Sequence, residues 1–330
     1  MEEPLPELVR CPPVLVCGFA RPSTLASVFD RVREARPSKL YLWLNRARED
    51  RPDEVECWNE CVEIFSRVDW PCEVFRNYSE RYLECRDSLQ TAFTWFFENV
   101  DRGVVLEDDC LPALSFFRFC GDLLEKYKDD NRIGMIAGHI EHLHLNKMES
   151  CGDSYYYDRW SSIWGWASWR RAWRLHDVTM SCVPEITKRP QLFDAFYRDM
   201  GCTRRRIAYL PMLKSGKGGS WDGAWFTTMQ INNWLCIHPY VNLVSNLGVG
   251  KSLRVGASVL LDFIHYRSPW DKCATEEIDF PLRHPPIMMP NPQSERLTLI
   301  DMGQIRTLKW WLVRGPYYLI CWVIAKFKGC

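Results

Sequence analysis

The chain has 330 residues, of which 47% are hydrophobic, so it can form one large domain or two tightly joined domains with a sizeable core. Its 42 basic and 42 acidic residues give a formal charge of zero, so no nucleic acid partner is expected. The first seven residues are acidic and lack the basic start and apolar centre of a signal peptide. Together with fifteen cysteines that form no Cys-x-x-Cys pair, this predicts a cytoplasmic protein with reduced thiols.

Strands and helices alternate regularly over the first 137 residues. Short apolar runs predict buried strands at 13–20, 39–45, 72–76, 103–107 and 133–137. The segments between them carry helical repeats, and three of these helices are expected to open at a proline, namely Pro22, Pro52 and Pro112. This alternation predicts a parallel sheet with right-handed crossovers and helices on both faces.

An acidic turn follows the fourth of these strands. Glu107, Asp108 and Asp109 stand at the carboxyl edge of the predicted sheet, where open α/β sheets hold their ligands. Two carboxylates about 4 Å apart repel by about 4 kcal/mol at an effective dielectric constant of about 20, so the turn either takes up a proton or holds a cation. Oxygen ligands favour Mg²⁺ or Mn²⁺, and Mg²⁺ uses one or two carboxylates together with substrate phosphates. A solvated turn that caps a helix is the structural alternative.

The regular alternation ends after residue 138. Three histidines and a glutamate lie within 139–144, and on a strand His142 and His144 would share a face and could chelate zinc. The spacing matches neither His-Glu-x-x-His nor His-x-x-Glu-His, so a loop that contacts substrate, or a solvated turn, is expected instead. The basic stretch 201–219 contains four glycines and favours a loop that closes over a diphosphate, or a solvated turn.

Sixteen tryptophans are many for this length, and they cluster at 160–173 and 221–234. Such aromatic side chains suit both sugar rings and an ordinary core. Trp166, Trp169 and Trp173 are spaced as on one face of a helix, which predicts that they are buried. Trp164 precedes Gly165, which permits a turn and a close approach of a ligand, so Trp164 is expected to line a sugar pocket.

Two later segments complete the sequence pattern. A helix is predicted from Trp221 to about Cys236, and Asp222 has the residue type and position of an N-terminal cap. Residues 267–300 are rich in proline and charge, which predicts extended packing or a linker. The apolar segment 310–327 is interrupted by Arg314-Gly315-Pro316 and is too short to span a membrane, so it is expected to be an interfacial, partner-docking or core helix.

Five blocks of sequence, taken in order, resemble a known family. No Gly-x-Gly-x-x-Gly or Gly-x-x-x-x-Gly-Lys-Ser/Thr motif is present, which disfavours dinucleotide dehydrogenases and P-loop NTPases. The blocks are similar to those of nucleotide-diphospho-sugar transferases of the GT-A fold, in particular a mostly bacterial group resembling the N-acetylglucosaminyltransferases that start complex N-glycans. They lie at 14–22, 103–112, 164–173, 220–225 and 241–248.

The resemblance implies roles for residues that would bind the sugar donor. The acidic triplet corresponds to a variant of the DxD motif, in which Glu107 would contact the transferred sugar and Asp108 the ribose. Asp109 would bind the divalent metal, Mn²⁺ or Mg²⁺, and His265 is the candidate for completing the metal shell. The nucleotide pocket would be lined by Phe19, Arg21, Arg76 and Arg86.

The resemblance also implies an acceptor side. Asp222 would be the general base of an inverting transfer, taking the proton from the acceptor hydroxyl. The acceptor or sugar pocket is expected to contain His139, Trp164 and Trp221. Gly223 and Ala224 stand where relatives often carry a larger polar or aromatic pair, which leaves the choice of acceptor open between a glycan, a lipid-linked molecule and a protein.

These observations predict an α/β GT-A fold with a mixed sheet flanked by helices. The expected division is an N-terminal tail at 1–12, a nucleotide-sugar half at 13–138, an acceptor half at 139–266 and a C-terminal extension at 267–330. The predicted activity is metal-dependent glycosyl transfer from a nucleoside-diphosphate sugar, with peripheral membrane contact through the C-terminal segment. The alternatives are a nucleotidyltransferase and a non-catalytic carbohydrate-binding protein on the same fold.

Overall fold

The computed structural model describes residues 11–140, 148, 150, 152–191, 200–215, 221–248 and 274–301. These residues form a mixed α/β structure. The strands are β1 Val14–Gly18, β2 Lys39–Leu44, β3 Glu73–Tyr78, β4 Arg102–Glu107, β5 Cys110–Pro112, β6 Ile133–Ala137, β7 Tyr155–Asp158, β8 Trp166–Trp169, β9 Leu235–Pro239 and β10 Val244–Asn246. The helices are α1 Pro22–Ala35, α2 Pro52–Ser66, α3 Cys85–Asn99, α4 Leu114–Lys126, α5 Arg170–Trp173, α6 Val183–Lys188, α7 Met200–Lys214, α8 Asp222–Ile231 and α9 Pro292–Asp301.

Eight strands form one large sheet in the order β3-β2-β1-β4-β8-β6-β9-β7. The first four strands of the chain are parallel to one another, whereas β8 runs antiparallel between β4 and β6. Strands β5 and β10 form a separate antiparallel pair. The predicted mixed sheet flanked by helices is therefore confirmed. None of the helices in the described part of the chain is long and apolar enough to span a bilayer.

Two apolar layers cover the two faces of the large sheet. On β1, Val14 and Val16 join the layer under α1, α2 and α4, while Leu15 and Cys17 join the layer under α3 and α8. This division follows from the period of two in a strand, which sends successive side chains to opposite faces. Both layers are needed because β1 and β4 are buried on both sides.

The helical interpretation of the tryptophan block is wrong. Trp166 and Trp169 lie on strand β8, where a spacing of three places them on opposite faces of the sheet. Only Trp173 belongs to a helix, the single turn α5. The helical spacing was misleading because pairing of β8 with both β4 and β6 decides the conformation of this segment.

Three other local predictions are also corrected. Pro112 does not open a helix but ends β5, which pairs with β10, and α4 begins at Leu114. The basic stretch predicted as a loop is helical through Lys214, so its described part packs as α7. The helix at Asp222 ends at Ile231, and the following apolar residues form β9 between β6 and β7.

The described C-terminal residues pack along the open edge of the sheet beyond β7. The backbone N–H of Asn291 donates to the carbonyl of Tyr157 (2.8 Å), and Nη2 of Arg159 lies 2.8 Å from Oε2 of Glu295. At the other end of this segment, Glu277 accepts hydrogen bonds from the first backbone N–H groups of α4. Residues 274–301 therefore show the extended packing expected for them, together with helix α9, while 310–327 lies outside the described residues.

Candidate functional site

The acidic turn and the loop after β1 meet because their strands are neighbours. Strands β1 and β4 are parallel, with Cys17 opposite Glu107, so both chains leave the sheet at the same edge. The residues that follow, Phe19 to Arg21 on one side and Asp108 to Asp109 on the other, are therefore brought into contact. The strand ends predicted the place of the acidic turn at this edge, and the family resemblance implied that Phe19 and Arg21 belong to the same pocket.

Arg21 bridges the two aspartates. Its Nη1 lies 2.6 Å from Oδ2 of Asp109, and its Nη2 forms an ion pair with Oδ1 of Asp108. The backbone N–H of Phe19 donates to the other oxygen of Asp108 (3.1 Å). The Arg21 side chain is 37% exposed, whereas those of Asp108 and Asp109 are 2% and 11% exposed, so solvent reaches the site from the arginine side.

The protein environment changes the protonation of the turn. Desolvation, reinforced by the charges of Asp109 and Asp108, raises the pKa of Glu107 to about 8. Desolvation also raises the pKa of Asp108 to about 6, although Arg21 opposes this shift. Burial and the neighbouring carboxylates therefore favour the protonated form of Glu107, which can donate a hydrogen bond, whereas Arg21 favours the ionised form of Asp108.

Asp222 belongs to the same site although it is distant in sequence. It is the first residue of α8, and its charge helps to raise the pKa of Glu107, so the two carboxyl groups interact electrostatically. The N-cap position itself is held by Trp221, which makes no side-chain capping bond. Asp222 thus lies inside the first helical turn, where the helix dipole favours a negative charge.

The segment after β10, Leu247 and Gly248, packs against Asp109 and borders the site. These two residues were not predicted from the sequence to form part of it. The backbone N–H of Leu247 donates to the carbonyl of Asp109 (2.7 Å). A Cβ on Gly248 would overlap Oδ2 of Asp109 and lie 2.9 Å from Nη1 of Arg21, so a larger residue there would displace the ends of these two side chains. The one available signal was the block at 241–248, which pointed to the family but not to this contact.

His139 and Trp164 lie together beside β10. The imidazole of His139 is 4.6 Å from the Trp164 ring, and its Nδ1 is 3.1 Å from the carbonyl oxygen of Val244. His139 is 1% exposed, but Trp164 is only partly buried, unlike Trp166 and Trp169. Trp164 therefore has a surface for a ligand, and its role in a sugar pocket stays a prediction.

Three other predicted residues make their described contacts away from the acidic turn, and a fourth, His265, lies outside the described residues. Arg76 lies on edge strand β3 and donates to the carbonyl of Phe65 (3.1 Å). Arg86 begins α3 and donates to the carbonyls of Val178 (2.8 Å) and Leu213 (3.3 Å). Trp221 is fully buried.

The assignment of Trp221 to a sugar pocket is corrected by its packing. Its ring lies 4.7 Å from that of Phe93 and 5.4 Å from that of Trp166, inside the aromatic layer under α3 and α8. A side chain with 0% exposure has no surface to offer a ligand. Its contribution is to anchor the start of α8, which positions Asp222.

The donor set of the turn fits a divalent cation. Among the described residues no three His, Cys, Asp or Glu side chains surround a common metal position. Mg²⁺, however, commonly takes one or two carboxylates and completes its shell with substrate phosphates and water. One guanidinium facing Asp108 and Asp109 also leaves an uncompensated negative charge, which a divalent cation would neutralise.

Comparisons with known proteins give distant structural likenesses only. No protein-family model and no curated protein matches the chain. Among solved structures, the chain is similar to a crystal structure of UDP-glucose pyrophosphorylase complexed with UDP-glucose, with 9% sequence identity and a TM-score of 0.32. The likeness covers 49% of this chain and 78% of that one.

Proposed function

We propose that this protein is a glycosyltransferase that uses a nucleoside-diphosphate sugar. The observation that carries the proposal is the convergence of Glu107–Asp109, Arg21 and Asp222 at the carboxyl edge of a parallel sheet. These groups provide carboxylates of different protonation, a guanidinium and a second carboxylate on a separate helix. Such a set matches a reaction in which one group departs while a hydroxyl is activated.

The donor half of the site would be built from the acidic turn. Asp109 would hold Mn²⁺ or Mg²⁺, which supplies positive charge to the departing diphosphate. Asp108, fixed by Phe19 and Arg21 in the free protein, would accept hydrogen bonds from the ribose hydroxyls. Glu107 would contact the transferred sugar, and its protonated form, which burial favours, would donate a hydrogen bond to it.

The acceptor half would depend on Asp222. Its carboxylate would take the proton of the acceptor hydroxyl as the oxygen bonds to the sugar carbon, and the bond from that carbon to the diphosphate would break. Glu107 is less suited to this role, because burial and its acidic neighbours favour its protonated form. The pairing of one protonated and one proton-accepting carboxyl group is a common basis for acid and base roles.

The test is to identify the product. Purified protein is incubated with Mn²⁺ and each common nucleoside-diphosphate sugar, with simple sugars or water as acceptor. Release of a nucleoside diphosphate from one donor, lost in Asp109→Asn, is the expected result. Release of pyrophosphate from a nucleoside triphosphate and a sugar phosphate would instead show a nucleotidyltransferase. Binding of sugar without any release would support the non-catalytic alternative.

A further inference from the structure

Arg21 occupies the place of a cation between two carboxylates. Nη1 lies 2.6 Å from Oδ2 of Asp109, and Nη2 pairs with Oδ1 of Asp108. These are the oxygens that a divalent cation at the acidic turn would approach. The protein's own guanidinium therefore competes with a metal ion for the same ligands.

Asp109 has little room for both partners at once. On one side Gly248 packs so closely that a Cβ there would overlap Oδ2. The other carboxyl oxygen, Oδ1, lies 3.6 Å from Sγ of Cys110. Two cations on one enclosed carboxylate would also repel each other, so Arg21 on Oδ2 disfavours a metal ion at the same atom.

The Arg21 side chain can leave without disturbing the fold. Its backbone carbonyl is held by the hydroxyl of Thr24 (3.2 Å) and the backbone N–H of Leu25 (3.0 Å), which fix the start of α1. The side chain beyond is 37% exposed. An incoming diphosphate presents anionic oxygens of the kind that a guanidinium binds in a bidentate manner, so it offers Arg21 an alternative partner.

We infer that Arg21 and the divalent cation exchange places when the nucleotide binds. This inference rests on the proposed function. In the free protein Arg21 bridges Asp108 and Asp109 and keeps Asp109 closed to metal. The diphosphate draws Arg21 away, Asp109 becomes open to Mn²⁺, and metal binding therefore follows nucleotide binding. Arg21 is in this sense a positioning residue that sets the order of binding.

Titration with Mn²⁺ alone tests the competition directly, by calorimetry or by the electron paramagnetic resonance signal of free Mn²⁺. Arg21→Met removes the competing cation, and we expect it to bind Mn²⁺ about 5–150-fold more tightly than the wild type, the usual range of coupling between two sites. Arg21→Lys keeps the charge but loses the planar fork that bridges both aspartates. It should bind Mn²⁺ with intermediate affinity.

Two controls locate the effect. Asp109→Asn in the Arg21→Met background should abolish the gained Mn²⁺ binding. Arg48→Met breaks a comparable pair with Glu54 at the same edge of the sheet and should leave Mn²⁺ binding as in the wild type. If Arg21→Met binds Mn²⁺ no more tightly than the wild type, the competition does not exist.

A second titration separates this inference from the proposed function. UDP, GDP, ADP and CDP are each titrated into the wild type with Mn²⁺ and with chelator. A bound nucleotide should tighten Mn²⁺ binding in the wild type by a larger factor than in Arg21→Met. If one nucleotide binds but the two factors are equal, Arg21 does not set the order. If no nucleotide binds under any condition, the proposed function itself is wrong and the exchange falls with it.

Discussion

Asp222 is the residue on which the proposed chemistry depends most. It lies in the first turn of α8, and its charge contributes to the raised pKa of Glu107. The two carboxyl groups have similar chemistry but different surroundings, and their surroundings assign them different roles. A substitution that keeps the shape of Asp222 but removes its ability to take a proton therefore isolates the acceptor half of the site.

We expect Asp222→Asn to lower the turnover number by about 10²–10⁴-fold, the usual contribution of a general base. The affinity for the nucleotide sugar should be unchanged, because the donor half is built from the acidic turn. Steady-state kinetics and a donor titration measure the two effects. Asp53→Asn, in the first turn of α2, is the matched control. Weakened donor binding in Asp222→Asn would place Asp222 on the donor side instead.

At the scale of single elements, strand β8 explains the tryptophan block. Trp169 is 2% exposed and its Nε1 donates to the carbonyl of Leu124 (3.0 Å), while Trp164, in the turn before the strand, remains partly exposed. The block thus contains both core residues and one surface residue. The strand conformation buries Trp166 and Trp169 on opposite faces of the sheet and leaves Trp164 in the preceding turn, whereas a helix would have buried tryptophans along a single face.

This arrangement predicts unequal costs of truncation. Trp169→Ala should lower the free energy of unfolding by about 3–5 kcal/mol, the usual cost of removing a large buried ring. Trp164→Ala should cost clearly less stability but should reduce sugar transfer if its ring lines the pocket. Urea unfolding and a transfer assay on the two variants compare them. Equal losses of stability would assign Trp164 to the core.

Helix α9 is held to β7 by a nearly buried ion pair. The side chains of Arg159 and Glu295 are 14% and 8% exposed. Breaking such a pair on one side should cost about 3–5 kcal/mol, because the remaining charge is left without its partner in a desolvated place. We therefore expect Glu295→Gln to destabilise strongly, and Arg159→Met with Glu295→Met to destabilise less than either single change. A double-mutant cycle by urea unfolding measures this, and additive losses would contradict it.

For the molecule as a whole, buried groups with opposite pKa shifts shape the dependence of stability on pH. Burial raises the pKa of Asp158 to about 7, so the folded state holds this proton more tightly than the unfolded chain. The contribution of Asp158 therefore falls as the pH rises from about 4 to about 7. Burial lowers the pKa values of His176 and His238 to about 4, and their contribution rises with pH over about 4 to 6.5.

We accordingly expect Asp158→Asn to steepen the pH profile. Without the opposing carboxyl group, the free energy of unfolding of the variant should rise with pH between 4.5 and 6.5 faster than that of the wild type, by up to about 1.4 kcal/mol per pH unit. Urea unfolding across this range measures the difference in slope. Parallel profiles would show that Asp158 titrates alike in both states.

The sequence predicted the parts of the molecule that local patterns determine. The β/α alternation through Ala137 predicted β1–β4 and β6, the acidic strand end predicted the place of Glu107–Asp109 at the carboxyl edge, and the family resemblance added Arg21 to the same pocket. The sequence did not predict β8, β9 or β10, because pairing with strands distant in sequence overrides the local spacing there. The exclusion of Trp221 from any pocket and the contact of Gly248 with Asp109 arise only in three dimensions.

The position of β8 in the sheet also bears on how the chain emerges from the ribosome. Strands β1–β4 are consecutive neighbours in the sheet, in the order β3-β2-β1-β4, so they can pair with one another as soon as they are synthesised. The outer edge of β4, however, stays unpaired until β8 is synthesised. Strand β8 is translated about 60 residues later, which takes about 3–12 s at elongation rates of about 5–20 residues per second. During that interval the apolar edge around Val105 is open to other nascent chains. Chaperone capture of the growing polypeptide is expected to peak in this window and to end when Trp166 docks.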